Sequence, residues 1–235
     1  MSNKVIEIKG LNYSYPDKTR ALSNIDLDVY EGESLGIIGS NGSGKTTLLL
    51  HLNGILQGTG VVKINGIAIT DKNLNEIRAM VGMVFQDPDT QLFMPTVFDD
   101  VAFGPINMGM SKQEVASAVD TALSQVDMSK AKDKIAHHLS FGEKRRASIS
   151  TVLSMSPNIL AMDEPSSNLD PKHRKMLIQL VKTLDHTKII VSHDLDLIAD
   201  ICDRVVVLKD GSVVAQGSTK EVLSNRDLLE SNDLI

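Results

Sequence analysis

The stretch Gly39-Ser-Asn-Gly-Ser-Gly-Lys-Thr46 decides how this chain is interpreted. It matches the pattern G-x-x-x-x-G-K-[ST], and it lies between the apolar run 34–38 and a leucine-rich segment at 44–56. A glycine-rich loop between a strand and a helix lets backbone N–H groups converge on phosphate oxygens, and the helix N-terminus favours negative charge. In such a loop Lys45 is expected to reach the β- and γ-phosphates, and the Thr46 hydroxyl to bind Mg²⁺. The stretch therefore predicts a strand–loop–helix unit that binds a nucleotide.

The sequence on either side of this loop predicts an α/β fold. Strand-like segments lie at 5–9, 25–29, 34–38, 61–64, 67–69 and 80–85, and Asn65-Gly66 between two of them is typical of a hairpin turn. Continuous apolar runs at 159–162, 189–191 and 205–208 favour strands of a parallel sheet that is covered on both faces. Helical patterns at 171–184 and 195–201 alternate with these runs.

The segment 88–150 has a different character, because its periodicity is helical. Apolar residues recur at helical spacing within 112–126. We therefore expect a single ATPase-sized unit over 1–235, in which 1–87 and 151–235 form the α/β core and 88–150 form an inserted helical subdomain.

Two adjacent acids end the apolar run 159–162. Asp163 at a strand end beside a phosphate loop is placed to bind Mg²⁺, which leaves Glu164 to polarise a water for attack on the γ-phosphate. Alone, this pair would be read as the solvated end of a strand. His193 follows the apolar run 189–191, where it could contact the γ-phosphate or orient that water, although a lone histidine there is more often structural.

The segment Leu139-Ser-Phe-Gly-Glu143 precedes a helix that begins Lys-Arg-Arg-Ala. Ser140 and Glu143 have the spacing of a capping box, which is the simplest explanation of the pair. The free N–H groups of this helix end would also suit a phosphate, and Gly142 permits close backbone approach.

Taken in chain order, these motifs resemble an ABC-type ATPase over residues 4–220. The matching elements are Tyr15 (A-loop), 39–46 (Walker A), Gln86 (Q-loop), 139–143 (signature), 159–164 (Walker B), 167–170 (D-loop) and His193 (switch histidine). The resemblance implies a P-loop NTPase fold, with a RecA-like, mostly parallel sheet core, an antiparallel β subdomain and an inserted α-helical subdomain.

The resemblance also implies roles for individual residues, with ATP and Mg²⁺ as cofactors. Tyr15 would stack on adenine, and Gln86 would sense Mg²⁺ and the attacking water. Nucleotide binding would fall to Gly39, Ser40, Asn41, Gly42, Ser43, Gly44, Lys45, Thr46 and Thr47; catalysis to Lys45, Gln86, Glu164 and His193; and Mg²⁺ binding to Thr46, Gln86 and Asp163. Ser140, Gly142 and Asp170 would contact nucleotide held by a second ATPase subunit.

The stretch 86–105 narrows the resemblance to energy-coupling-factor transporter ATPases, with the cobalt and nickel branch most similar. In that family this region docks a membrane partner, so we expect Leu92, Phe93, Met94 and Phe103 to form an exposed groove for an amphipathic helix. For Phe103 alone, packing between subdomains is the simpler expectation. The implied partners are an integral membrane coupling component, a substrate-binding membrane component, and a second ATPase subunit that is either another copy or a paralogue.

The signature departs from the usual LSGGQ in two places, because Phe141 replaces a glycine and Glu143 replaces glutamine. Ser140 and Gly142 are kept, so we expect a competent site. The departures nevertheless leave open a non-catalytic regulatory module. The motifs are also compatible with a non-transport ABC-type ATPase and with an importer of a vitamin.

The composition limits the remaining possibilities. With 24 basic and 30 acidic residues the net charge is −6, which argues against a nucleic-acid partner. One cysteine, Cys202, excludes an intrachain disulfide, and no apolar run approaches the roughly 18 residues of a membrane span. The start of the chain has no apolar core and does not match a signal peptide, so we expect a cytosolic chain. The resemblance implies a peripheral location on the cytoplasmic face of the membrane. Residues 219–235 are expected to form one short helix. Some members of the family carry a further dimerising domain at this position, so the resemblance implies that dimerisation of this chain depends more on ATP.

Overall fold

The fold is described from a computed structural model that covers residues 3–235. In chain order its strands are β1 (Lys4–Ser14), β2 (Arg20–Tyr30), β3 (Ser34–Ile38), β4 (Thr59–Ile64), β5 (Ile67–Ala68), β6 (Val81–Val84), β7 (Ile159–Asp163), β8 (Thr187–Val191), β9 (Arg204–Lys209) and β10 (Ser212–Ser218). Its α-helices are α1 (Lys45–His51), α2 (Leu74–Met80), α3 (Val97–Asn107), α4 (Lys112–Gln125), α5 (Phe141–Leu153), α6 (Pro171–Thr183), α7 (Leu195–Ile201), α8 (Thr219–Ser224) and α9 (Arg226–Ser231).

The central sheet has six strands in the order β10-β9-β3-β8-β7-β6. Five of these strands run parallel to one another, namely β9, β3, β8, β7 and β6. The sixth, β10, pairs with β9 in the antiparallel sense. The carboxyl ends of parallel strands meet at one edge, and ligands of open α/β sheets bind outside that edge. The loop after β3, the acids at the end of β7 and the residues after β8 therefore lie together.

A second, antiparallel sheet packs against the first. Its order is β2-β1-β4-β5, and the Asn65-Gly66 turn joins β4 to β5. Both turn residues have positive φ (48° and 78°), as a two-residue hairpin turn requires. The hairpin expected from Asn65-Gly66 is therefore confirmed.

Alternate residues of the central strands face two different apolar cores. In β7, Ile159 and Ala161 pack with the antiparallel sheet and α1, whereas Leu160 and Met162 pack with the helices of the other face. All five β7 residues are buried, which explains why this strand reads as a continuous apolar run. The mostly parallel sheet core and the antiparallel β subdomain are confirmed.

Helices α3, α4 and α5 pack on one another beside the β6 edge of the central sheet. Capping boxes start two of them, with Ser111 and Glu114 at α4 and Ser140 and Glu143 at α5. Helix α5 continues through residue 150 to Leu153, and the division of the chain at 88–150 stays a prediction.

Several predicted boundaries were wrong. The first helix ends at His51 rather than residue 56, because Gly54 (φ 68°) adopts a left-handed conformation soon after it. Helix α2 was not predicted from the sequence. Met80 is its last residue, so β6 begins at Val81 and not at Met80 as expected. Residues 219–235 form two short helices rather than one, because Asn225 leaves the helical conformation and caps the second helix.

Within residues 3–235, no helix combines the length and the apolar character that crossing a bilayer requires.

Candidate functional site

The phosphate-loop motif forms a tight turn between β3 and α1. Gly44 caps α1 at φ 101°, and a Cβ there would lie 2.5 Å from the Ala21 carbonyl oxygen, so glycine is required. The Lys45 ammonium donates to the carbonyl oxygens of Gly39 (2.8 Å) and Ser40 (3.0 Å). Burial lowers the pKa of Lys45, an effect that the nearby Glu164 and Asp163 carboxylates oppose. Two carbonyl groups of the loop thus hold the buried Lys45 ammonium group.

Asp163, at the end of β7, faces the first turn of α1. The Thr46 hydroxyl donates to both of its carboxylate oxygens, at 2.9 and 3.1 Å. Burial is the main reason that the pKa of Asp163 is raised, and the Thr46 hydrogen bond opposes the rise. A hydroxyl and a carboxylate are hard oxygen ligands of the kind that Mg²⁺ prefers, so this pair fits that cation.

Glu164 is buried, and its backbone is in the left-handed region (φ 43°), an uncommon conformation for a residue with a side chain. Its backbone N–H donates to Val191 O (2.8 Å), which holds this conformation. The carboxylate accepts from the Ser192 hydroxyl (3.1 Å) and the His193 backbone N–H (3.1 Å), and lies 2.8 Å from His193 Nδ1. Strain of this kind concentrates at functional sites.

These side chains surround one open cavity of about 690 Å³. Its wall includes twelve predicted residues, namely Tyr15, Gly39, Ser40, Asn41, Gly42, Gly44, Lys45, Thr46, Thr47, Gln86, Glu164 and His193. Two of these residues contact each other, because the Tyr15 hydroxyl lies 2.9 Å from Thr47 Oγ1, within hydrogen-bond distance. Thr19, Arg20, Ala21, Asp233 and Leu234 also line it and were not predicted, since no motif marks them.

Five other predicted residues do not line this cavity. Ser43 is buried inside the loop, and Asp163 reaches the site through Thr46. Ser140 and Asp170 are instead exposed at the starts of α5 and α6, and Gly142 is buried in the first turn of α5.

The signature segment and the start of α6 contact each other within the chain. The Ser140 backbone N–H donates to Glu143 Oε2 (2.8 Å) and the Glu143 backbone N–H donates to Ser140 Oγ (3.4 Å), so the capping box predicted from the sequence is present. Gly142 lies against the His173 ring, where a Cβ would come within 2.5 Å of Cδ2. Asp170 caps α6 and contacts His173 Nδ1 at 2.6 Å. The backbone hydrogen bond from His173 is the main cause of a lowered Asp170 pKa.

Three residues that contact this site or its loops were missed by sequence reasoning. Ser192 binds Glu164, and its position directly after β8 was the available signal. Gln91 and Arg145 bind the loop that carries Gln86. Arg145 lies in a Lys-Arg-Arg run that reads as a solvated surface, although its side chain is buried.

The expected apolar groove after Gln86 is only partly present. Leu92 is 3% exposed and packs in the helical core, so its predicted exposure was wrong, and Met94 is half-buried. Phe93 and Phe103 are 62% and 46% exposed and pack edge to face with ring centroids 5.2 Å apart. Leu92 turns inward because it ends the short 3₁₀ turn at 88–90, where its N–H donates to Pro88 O (3.0 Å).

Comparison with known proteins agrees with this arrangement. The ABC transporter family model matches residues 22–167. The energy-coupling factor transporter ATP-binding protein EcfA of Carboxydothermus hydrogenoformans is 46% identical over 236 residues, covering 99% of this chain and 87% of that protein. The solved structure of cbiO1 from Clostridium perfringens, part of the ABC transporter complex cbiONQ, has a TM-score of 0.86 at 39% identity and covers 99% of this chain and 95% of its own.

A dimeric ATP-binding cassette, MJ0796, bound to ADP and phosphate after hydrolysis, matches with a TM-score of 0.82 at 28% identity, covering 91% of this chain and 98% of its own. The ABC-type ATPase resemblance is thereby confirmed, together with the P-loop fold. The chain belongs to the ABC transporter family and is an ATP-hydrolysing subunit.

Proposed function

We propose that this chain powers an energy-coupling-factor importer of cobalt or nickel ions by hydrolysing ATP. The observation that carries the catalytic part is the meeting of Lys45, Thr46 and Glu164 around one cavity, with Asp163 bonded to Thr46. Residues from β3, β7 and β8 contribute to it, as expected of a site at the carboxyl edge of a parallel sheet.

The phosphate-binding end of the cavity would be formed by the loop and the first turn of α1. Lys45 would leave its two carbonyl acceptors for the β- and γ-phosphates of ATP. Tyr15 would stack on the adenine after releasing Thr47, since it lines the same cavity and is 37% exposed. The other loop residues would offer backbone N–H groups to the phosphates, with Ser43 shaping the loop from inside.

Thr46, Asp163 and Gln86 are the residues that would hold Mg²⁺. Bound there, the cation would neutralise charge on the β- and γ-phosphate oxygens. Thr46 and Asp163 are already in contact, and Gln86 lines the same cavity.

Glu164 would act as the general base for the attacking water. Its carboxylate lies in the cavity wall, is oriented by two hydrogen-bond donors from the segment after β8, and lies 2.8 Å from His193 Nδ1. His193 would contact the γ-phosphate, because its side chain is 67% exposed toward the cavity while Nδ1 holds Glu164. In this arrangement the histidine also keeps the base in position for in-line attack.

A second ATPase subunit would complete each site. Ser140, Gly142 and Asp170 do not line the cavity of their own chain; Ser140 and Asp170 are exposed at the starts of α5 and α6, and Gly142 is buried in the first turn of α5. Two copies meeting head to tail would place these helix starts over the ATP of the partner. A paralogous subunit could replace one copy, since it would carry the same cavity and the same helix starts.

The membrane partner would dock near Phe93 and Phe103. These rings form an exposed apolar pair on the helical layer, and Ile106 and Met108 nearby are 60% and 43% exposed. An amphipathic helix of a membrane coupling component is the expected occupant, with a separate membrane component that binds the substrate. This docking would keep the chain on the cytoplasmic face of the membrane.

Reconstitution tests the transport assignment. The complex of this chain with its co-purifying membrane components is placed in liposomes, and uptake of radiolabelled Co²⁺ or Ni²⁺ is followed with ATP. We expect ATP-dependent metal uptake that Glu164→Gln abolishes. Uptake of a vitamin without metal would contradict the metal assignment. Full ATP hydrolysis by a chain that never associates with a membrane protein would instead favour a non-transport ATPase.

A further inference from the structure

Arg145 is a fully buried cation that contacts the loop carrying Gln86. It lies in α5, five residues after Ser140, and its side chain is 0% exposed. Its Nη1 donates to Phe85 O (2.7 Å), and its Nη2 donates to Gln86 O. The signature helix and the Gln86 loop are therefore joined by one side chain.

The acceptors of Arg145 are unusual for a buried guanidinium. Among the ion pairs formed within residues 3–235, none includes Arg145, and its Nε has no acceptor. Burial lowers the pKa of Arg145 to about 10, while the Asp87 and Asp163 carboxylates favour the cation at longer range. The group stays charged at neutral pH. The Arg145 guanidinium carbon also lies 5.8 Å from the centroid of the Phe141 ring. Holding a cation without a carboxylate partner in the interior is costly, which argues for a purpose beyond filling space.

A second side chain fixes the same loop to the same helix. Gln91 donates to Ser148 O (2.8 Å) and contacts Thr151 Oγ1 (2.7 Å), both in α5. Its Oε1 accepts from the Phe85 backbone N–H (3.3 Å). Arg145 thus binds the C=O groups of Phe85 and Gln86, and Gln91 binds the N–H group of Phe85.

We propose that Arg145 is a positioning residue that fixes Gln86 relative to the signature helix, so that α5 and Gln86 move together. Closure of a second subunit on Ser140 would then be transmitted along α5 to the side chain that faces the cavity. This inference rests on the proposed function, in which Gln86 would hold Mg²⁺ beside the attacking water. Arg145 itself does not line the cavity, so it acts through the backbone of the loop.

Steady-state kinetics of the full chain tests this assignment. Arg145→Lys keeps the charge but cannot reach both carbonyl groups, and Arg145→Gln removes the charge as well. We expect either substitution to lower kcat by about tenfold, because small displacements of a positioned group are costly, while KM for ATP changes less than about twofold. If Arg145→Lys fails to fold, Arg145→Gln provides the measurement without burying a charge.

Arg146→Gln is the matched control. Arg146 is the next residue of α5 and contacts Val126 O and Asp127 O (both 3.3 Å), away from the Gln86 loop. This variant should retain kcat. Equal kcat values for the Arg145 and Arg146 variants would overturn the proposal.

A double variant separates positioning from general stability. If Arg145 acts through Gln86, Arg145→Lys should change kcat less than about twofold in a Gln86→Ala background. Multiplicative losses in the double variant would overturn the assignment to Arg145 while leaving the role of Gln86 intact. A Gln86→Ala variant with unchanged kcat would instead contradict the proposed role of Gln86, and the inference would fall with it.

Discussion

At the scale of single residues, the conformation of Glu164 is the most informative feature of the site. The sequence predicts that this acid lies at the end of an apolar strand. It does not predict the left-handed backbone conformation (φ 43°) that orients the side chain. That conformation depends on Val191 O and on the segment after β8, which are distant in sequence. The position of Glu164 at the end of a strand was therefore predictable, and its geometry was not.

Replacing Glu164 by glutamine tests its role as the base. The substitution keeps the size of the side chain but removes the proton acceptor, so phosphate release should fall at least about 100-fold while ATP still binds. Phosphate release and binding of a fluorescent ATP analogue measure the two properties.

Glu143→Gln is the control for that substitution. Glutamine also caps helices and restores the usual signature residue, so phosphate release should stay within about threefold of the original chain. Equal phosphate release by the Glu164→Gln variant and the original chain would refute the assignment of the base.

The contact between Thr46 and Asp163 gives a second prediction at this scale. Thr46→Ala removes the hydroxyl that lies 2.9 Å from Asp163 Oδ2, and should weaken ATP binding in Mg²⁺ by about tenfold, with little effect in EDTA. Titration calorimetry with and without Mg²⁺ measures the difference. Thr46→Ser keeps the hydroxyl and should bind normally. An equal loss with and without Mg²⁺ would argue against a cation site here.

At the scale of secondary-structure elements, the buried parallel strands were predicted best. Strand β3 has the predicted bounds, because continuous burial leaves an apolar run. The edge strand β10 was missed, since its partly exposed residues give a weaker pattern. Asp210-Gly211, both with positive φ, form the turn that leads into it and were the available signal. Leu92 was misplaced because a short apolar run does not reveal which side faces the core.

The contact of Gly142 with His173 predicts that the effect of Gly142→Ala on the free energy of unfolding changes sign when the His173 ring is removed. Gly142→Ala should destabilise the chain by about 1–3 kcal/mol, because the new Cβ would overlap a ring that Asp170 holds in place. In a His173→Ala background the same change should be neutral or stabilise by up to about 1 kcal/mol, since alanine favours a helix. Urea unfolding measures both free energies. Equal effects in the two backgrounds would show that the contact is unimportant.

The exposed aromatic pair gives a prediction about assembly. Phe93→Ser together with Phe103→Ser should abolish co-purification with the membrane coupling component, because it removes the apolar contact surface. Phosphate release by the isolated chain should remain unchanged, since neither ring lines the cavity. Ile55→Ser, at an exposed apolar residue elsewhere, is the control and should co-purify normally. If the double variant still co-purifies with the membrane component, the docking surface does not include this aromatic pair.

At the scale of the whole molecule, the chain carries two candidate functional surfaces. The cavity is lined by the phosphate loop and by Glu164, the proposed base, whereas Ser140, Gly142 and Asp170 do not line it. Motif order could predict both surfaces, because each is local in sequence. The link between them through Arg145 could not be predicted, because it depends on which backbone groups the fold brings to a buried side chain.

The concentration dependence of phosphate release tests most directly whether a second copy completes the site. Activity per subunit is measured over a range of protein concentrations at saturating ATP and Mg²⁺, and light scattering of the Glu164→Gln variant with ATP follows the oligomeric state. The account predicts that activity per subunit rises with concentration and reaches a plateau where the ATP-bound variant is a dimer. Constant activity per subunit, at concentrations where light scattering shows monomers, would contradict it.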